Sequence, residues 1–275
     1  MPKLLLIRYW LILSFIRHLK SNREYIKKIS LYRKDKFNSL YLLNMTDGDF
    51  LIQDICRINR FVGGKNHAIE RLYNQYIRSD IRIDTNQKNS EPENIIDIGA
   101  NIGEFTIAAA NKFEKSIIYA FEPDPLAFEC LKFNITSSNL NSRVIALNCA
   151  LSDKTGQSVF YVSSSDADSS LVKPEKFTAT IDISCLRGDE IMQQYDITSC
   201  LLLKMDAEGF EPEILEGFGD QIKKIDYFAI DVSPEREGID TEKEVTLFFN
   251  NLGAFVKIFR DKGRRKFVNS HWILV

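Results

Sequence analysis

The stretch IIDIGANIGEF, Ile95 to Phe105, passes from a β-branched apolar run, through a turn holding two glycines, into the start of a helical pattern. A strand that stops near Asp97, turns at Gly99 and gives way to a helix at Gly103 is how an open α/β sheet builds the floor of a nucleotide-binding crevice. A dinucleotide site would read G-x-G-x-x-G, its middle glycine letting a pyrophosphate press on the backbone. Here that place is Asn101, and the turn reads D-x-G-x-N-x-G. A side chain stands where the pyrophosphate would lie, so the turn points to a nucleoside ligand that lacks phosphates.

Working outward, the pattern alternates. NIIDI is followed by a predicted helix from Ile102 to Phe113, SIIYAF by one from Pro125 to Ser137, and VIALNCA forms a third strand. Such alternation predicts a parallel sheet with helices on both faces. TGQSVFYV and FTATIDIS alternate in polarity around a Ser/Asp-rich loop and read as extra strands or an inserted hairpin. CLLLKM, a short helix near Glu211 to Leu215, DYFAIDV, a helix from Thr241 to Asn251 and strands at AFVKIF and HWILV complete the run. DKGRRKFVNS is too short for a crossover helix, so the last two strands must pair antiparallel.

Upstream, SLYLLNMTDGDFLIQDI reads as two short strands around a turn, and Lys65 to Ile77 as a helix with Ile69, Leu72, Tyr73 and Tyr76 on one face. The polar loop Asp84 to Asn94 leads into the main domain. Three regions are therefore expected: a basic, partly apolar N-terminal arm over 1–36, a cap of short strands and a helix over 37–93, and the α/β domain over 94–275.

Composition bounds the function. The chain has 275 residues, 44% hydrophobic and 27% charged, enough for one sizeable core and an appendage. The net charge of −2 hides an asymmetry, because Met1 to Lys36 carries ten Lys/Arg against two Asp/Glu and the remainder is strongly acidic. A basic arm on an acidic body suits an anionic surface for the arm and argues against gripping nucleic acid with the body. LLLIRYWLILSFI, Leu4 to Ile16, is shorter than the roughly 20 residues that span a bilayer. With the basic residues after it, residues 4–28 are expected either to lie on an anionic membrane or to pack on protein. The five cysteines contain no Cys-x-x-Cys pair and the histidines His18, His67 and His271 are scattered, so neither a disulfide framework nor a metal cluster is encoded, and a cytoplasmic location is expected.

The ligand-binding expectations follow from the sheet. Gly99 lets the chain turn, Gly103 permits close approach, and the amides at the start of the helix face a carboxylate. S-adenosylmethionine offers a carboxylate, an ammonium, a sulfonium and a ribose without phosphate. Asp97 is the expected acceptor for the ammonium, directly or through water. Glu122 ends the second strand nineteen residues beyond Gly103 and is expected on the ribose hydroxyls. The side chain of Asn148 or the backbone of Ala150 is expected beside adenine, while Ser152 and Asp153 read as an ordinary turn.

Four stretches in order, DIGANIGEFTIAAA, FEPDPLAFECLKFN, NCALSD and LLLKMDAEGFEPEILEG, resemble the FkbM family of S-adenosylmethionine-dependent methyltransferases, over roughly Phe61 to Val232. The resemblance implies a Rossmann-like, seven-stranded class I methyltransferase sheet, mostly parallel with an antiparallel C-terminal hairpin, preceded here by an N-terminal α/β extension. It also implies methyl transfer, usually to a hydroxyl oxygen of a glycan sugar or secondary metabolite. Many relatives end the fifth strand with Glu and a nearby His. This chain has Asp231, Val232 and Ser233, so that histidine is not carried over.

The fourth strand concentrates charge: Lys204, Asp206, Glu208 and Glu211 stand at its carboxyl end. A hydroxyl needs a general base within hydrogen-bond reach to become a nucleophile. Asp206 is the first candidate and Glu208 the second, with Lys204 opposing any rise in their pKa. No metal is required by this pattern, although Asp206 and Glu208, two acids two positions apart, offer a possible pair of ligands. Acids also belong at a helix start, which gives the same residues a capping role. Two other readings share the turn: a nicotinamide-dependent oxidoreductase, which Asn101 and the terminal hairpin disfavour, and a cofactor-binding scaffold without turnover. The acceptor pocket is expected from the insertion between Gly156 and Ser184, the loop after Asp231 and the N-terminal segment.

Overall fold

NIIDI and CLLLKM are mostly apolar, and both become central strands: β4 (Asn94–Ile98) and β10 (Cys200–Met205) lie side by side, β10 buried at every position. The structure, a computed structural model, describes residues 25–34, 39–53, 55–61, 63–77, 93–163, 169–175, 177–236, 238–260 and 265–272. From β4 the chain runs through α2 (Glu104–Lys112), β5 (Ile117–Phe121), α3 (Pro125–Ser137) and β6 (Val144–Leu147). From β10 it runs the other way through α5 (Glu211–Phe218), β11 (Ile225–Asp231), α6 (Glu242–Asn251), β12 (Ala254–Arg260) and β13 (Lys266–Trp272). The seven-stranded order is β12-β13-β11-β10-β4-β5-β6. β4, β5, β6, β10 and β11 are parallel, whereas β13 pairs antiparallel with both β11 and β12. The order reverses between β4 and β10, and there the loops diverge and open a crevice.

The two faces of the sheet are read from adjacent residues. Ile95 and Leu202 face α2 and α3, in a cluster with Phe105 and Leu131. Ile96 and Leu203 face the opposite layer, packed with Phe218, Phe228 and Phe249 from α5, β11 and α6. A smaller sheet, in the order β7-β9-β8, holds β7 (Ala150–Ser152), β8 (Gly156–Val162) and β9 (Ala179–Arg187). Its hairpin of β8 and β9 is the insertion expected from the sequence.

The N-terminal extension forms an antiparallel sheet of β1 (Ile26–Lys34), β2 (Ser39–Met45) and β3 (Gly48–Gln53), then a 3-10 helix over Ile55–Phe61 and α1 (Lys65–Tyr76). Its Leu43, Phe50, Phe61 and Tyr76 belong to the same cluster as Ile95 and Phe105. Asn134 of α3 fastens the two parts. Fully buried, it accepts from Leu51 N at 2.6 Å and donates to Leu51 O at 2.9 Å and Ile102 O at 2.8 Å.

Several expectations change. The expected basic arm contains β1, whose charged residues point outward while Ile26 packs inward. The third run, VIALNCA, is divided: Val144 to Leu147 stays in the main sheet and Ala150 to Ser152 leaves it. A short helix, α4 (Gly188–Gln194), stands between β9 and β10 where the sequence pattern marks no element. KFVNS, assigned to a connection, is most of β13. The apolar segment Leu4–Ile16 and most of the loop Asp84–Asn94 lie outside the described residues. Among the described residues no helix is long and apolar enough to cross a membrane. Cys130, Cys149, Cys185 and Cys200 are buried free thiols.

Candidate active site

The glycine turn is held from below by the neighbouring strand. Register places Lys204 opposite Asp97. The Lys204 ammonium lies 3.1 Å from Asp97 Oδ1 and donates to Gly99 O at 2.8 Å and Ile98 O at 3.2 Å. It also sits over the rings of Tyr76 and Phe105, 5.1 and 5.8 Å from their centroids. Gly99 adopts φ 69°, and a Cβ there would stand 1.9 Å from Asp206 O, so only glycine fits between the ends of β4 and β10. Asn101 also has positive φ, at 51°.

Two residues assigned to the ligand are turned elsewhere. Asp97 is fully buried away from the cavity, bound to Lys204 and accepting from Thr106 Oγ1 at 2.5 Å. No acceptor faces the crevice from it, because a buried carboxylate is stable only when paired. Gly103 begins α2 with φ 93°, and a Cβ there would meet Leu131 Cδ1 at 2.8 Å. Its bareness serves the contact between α2 and α3.

Glu122 stands on the cavity wall. Its Oε2 accepts from Asn101 N at 2.7 Å and its Oε1 from Asp124 N at 2.8 Å, so the turn after β4 and the loop after β5 share one carboxyl. Burial, followed by the charge of Asp124, pushes its pKa up to about 8 despite these amides. Asn148 is exposed and donates to Glu122 O at 2.8 Å and Pro123 O at 3.1 Å. It braces the Glu122 loop, in place of the adenine contact expected from its side chain. Cys149, Ala150 and Leu151 follow it onto the cavity wall.

On the other side of the turn, at the end of β10, lies Asp206. Its Oδ2 accepts from the Tyr76 hydroxyl and from Arg265 Nη1 at 3.4 Å, while Oδ1 is buried without a hydrogen-bond partner. Burial works against its charge, but Arg265, Lys204 and the Tyr76 hydroxyl outweigh burial and hold the carboxyl below its ordinary range. Arg265 also lies 3.2 Å from Asp231 Oδ2 and 4.0 Å from Glu235 Oε1. Asp231, buried and capped by Ser233, is raised to about 7 by burial and by Asp206. Glu235 is raised further, by burial and then by Asp206 and Glu208. Oxygens of Asp206, Asp231 and Glu235 come within 4.8 Å of one another. This is the acidic group the fold gathers among the described residues, and Glu208, paired with Asp206 in the sequence reading, stands outside it. Glu208 lines the cavity with φ 51°. Glu211 does not: it accepts from Ala207 N, Gly209 N and Thr241 Oγ1 and ties down the loop after β10.

The cavity so enclosed measures about 1160 Å³, above the upper end of the roughly 300–1,000 Å³ of single-ligand sites. The extension closes it with Arg57, Arg60 and Arg71, and the inserted hairpin with Phe160, Val162 and Leu171. The loop after Asp231, expected in the acceptor pocket, contributes none of the lining, whereas Arg265, just before β13, does. Tyr76, Arg57 and Arg265 had not been anticipated. Their partners are 130, 44 and 59 positions away in the chain, and no local pattern marks such pairings.

Residues 97–265 match the model of the methyltransferase FkbM domain. Among curated proteins, the methyltransferase sdnD of Sordaria araneosa is 28% identical, over 56% of this chain and 73% of its own. The hexuronic acid methyltransferase AglP of Haloferax volcanii is 27% identical, over 64% and 72% respectively. The 31-O-demethyl-FK506 methyltransferase FkbM of Streptomyces tacrolimicus is 26% identical, over 46% and 59%.

Proposed function

The chain belongs to the FkbM methyltransferase family, and from that premise we propose that it takes a methyl group from S-adenosylmethionine and delivers it to a hydroxyl of a sugar or a hydroxylated small metabolite. One observation carries this reading. The turn, with a side chain at Asn101 where a dinucleotide site has glycine, lies between Glu122 and Asp206 on the wall of a cavity larger than single-ligand sites.

The residues present fit the cofactor. Each oxygen of Glu122 already takes one backbone N–H and keeps a lone pair for a ribose hydroxyl. Ala150, between Cys149 and Leu151, offers an apolar wall for adenine. When bound, the cofactor supplies an electrophilic methyl on a cationic sulfur. Lys204 acts from beneath as a brace, keeping the Gly99 turn in shape through its two carbonyl bonds.

On the acceptor side, the Asp206 carboxylate takes the hydrogen bond of the acceptor hydroxyl and then its proton. A carboxylate held below its usual range is a weak base toward a free alcohol. It suffices here because the hydroxyl proton becomes strongly acidic as the new C–O bond forms. Arg265 and the Tyr76 hydroxyl fix the position of the carboxylate through its Oδ2, and orientation of this kind supplies much of a bimolecular barrier reduction. Glu208 is the second candidate on the same wall. The relatives' names, one for a hexuronic acid and one for 31-O-demethyl-FK506, support a hydroxyl on a sugar or a secondary metabolite.

The test has two stages. Thermal shift with S-adenosylhomocysteine and with NAD separates the cofactor classes, since a ligand bound only by the folded state raises its stability; absence of a shift with S-adenosylhomocysteine ends this reading. Transfer of labelled methyl is then followed over uronic acids, neutral sugars and polyhydroxylated metabolites. Binding with background transfer across that panel returns the chain to the scaffold reading.

A further inference from the structure

Glu104 opens α2, lines the cavity and is 3% exposed, and its Oε1 is buried without a hydrogen-bond partner. An unsatisfied buried acceptor costs on the order of 1–3 kcal/mol, more when charged, so this oxygen calls for a donor. The other oxygen, Oε2, lies 3.3 Å from Arg60 Nη1. Arg60 and Arg57 are three residues apart in the 3-10 helix Ile55–Phe61, a spacing at which side chains eclipse. Both guanidiniums therefore reach the start of α2: Arg57 Nη1 donates to Asn101 Oδ1 at 2.6 Å while Arg60 meets Glu104. Arg57 is 5% exposed and, like Arg60, lines the cavity. The first-turn amides of α2 add partial positive charge at the same end.

A buried anionic acceptor beside two cationic forks is the chemical complement of an α-amino-acid zwitterion. Asp97 is closed off by Lys204 and Thr106, which leaves Glu104 as the acid at this end of the turn with an oxygen to spare. We propose that Glu104, Arg57 and Arg60 form the subsite for the amino-acid end of the cofactor, Glu104 accepting from the α-ammonium and the two arginines holding the α-carboxylate. This rests on the cofactor reading above. It makes the N-terminal extension part of the cofactor site as well as a wall for the acceptor.

The experiment removes the amino-acid end from the ligand and its receptors from the protein. Titration calorimetry compares S-adenosylhomocysteine with 5′-methylthioadenosine, which keeps the adenosine and sulfur and lacks the zwitterion. The intact protein is expected to prefer the homocysteine ligand by about 1,000-fold, three charge-assisted contacts at about tenfold each. Glu104→Gln, Arg57→Lys and Arg60→Ala are each expected to shrink that preference about tenfold, with affinity for 5′-methylthioadenosine unchanged within about twofold. The retained nucleoside binding certifies that each variant is folded. Variants that keep the full preference, or lose both ligands alike, overturn the subsite, as does an intact protein that binds both ligands equally. An intact protein that binds neither overturns the cofactor reading itself.

Discussion

Glu122 couples the turn after β4 to the loop after β5, and its protonation decides whether both its oxygens can accept. Burial lifts it to about 8, so near pH 6.5 it is mostly protonated and one of its oxygens is a donor. Ribose hydroxyls favour the ionised form, and binding then expels a proton. S-adenosylhomocysteine affinity is expected to rise about tenfold from pH 6.5 to 8.5, and calorimetry in two buffers of different ionisation heat would detect the released proton. Glu122→Gln should flatten that profile and weaken binding at pH 8.5; a pH-independent affinity in the intact protein would remove Glu122 from the ribose. Asp206 supports a separate expectation. If it is the base, Asp206→Asn lowers kcat by about 10²- to 10⁴-fold, while S-adenosylhomocysteine affinity moves little. A variant that instead loses cofactor binding would mean that Asp206 serves the floor of the turn.

At the scale of elements, the junction of β4 with β10 is the least tolerant place in the site. Gly99→Ala puts a Cβ 1.9 Å from Asp206 O in a backbone at φ 69°. The left-handed conformation alone costs roughly 1–2 kcal/mol, and parting the two strand ends adds more, so urea unfolding should show a loss of at least about 3 kcal/mol. A change of under about 1 kcal/mol would show that the junction yields, as single surface substitutions do. This junction also shows where sequence was readable and where it stopped. The turn, the alternation of strands and helices and the antiparallel ending follow from local spacing, and they are present. That Asp97 faces Lys204 depends on the register of β4 against β10, which no local pattern encodes, so in the sequence alone this buried acid reads as a ligand contact. β1 is not legible because its inward residues are few among lysines and arginines. β7 is not separable in the sequence because its apolar run continues from β6 with only Asn148 and Cys149 between them.

Across the whole molecule, the expected division into a cap and a catalytic domain meets a continuous apolar cluster. Leu43, Phe50, Phe61 and Tyr76 of the extension pack in one core with Ile95, Phe105, Leu131 and Leu202, and Asn134 ties β3 to the start of α2 through its buried amide. A core that is shared cannot melt in halves, because removing one side leaves the other with exposed apolar surface and an unpaired buried amide. The chain is therefore expected to unfold in a single transition, with calorimetric and van't Hoff enthalpies equal. A chain beginning at residue 93 should be insoluble, or should bind the apolar dye ANS strongly. The same burial sets the pH dependence of this transition. Glu122, Glu211 and Asp231 are raised to about 8, 7 and 7, burial being the first cause in each. Unfolded carboxyls titrate near 4, so between about pH 4 and 8 the folded state holds the extra protons and stability falls as pH rises. The thermal midpoint of the ligand-free chain should drop by about 5–10 °C from pH 5.5 to 8.5, and S-adenosylhomocysteine should recover part of that loss by engaging ionised Glu122. Two resolved transitions, with the second unchanged on deleting the extension, would establish independent units and confine the extension to a lid on a self-sufficient sheet.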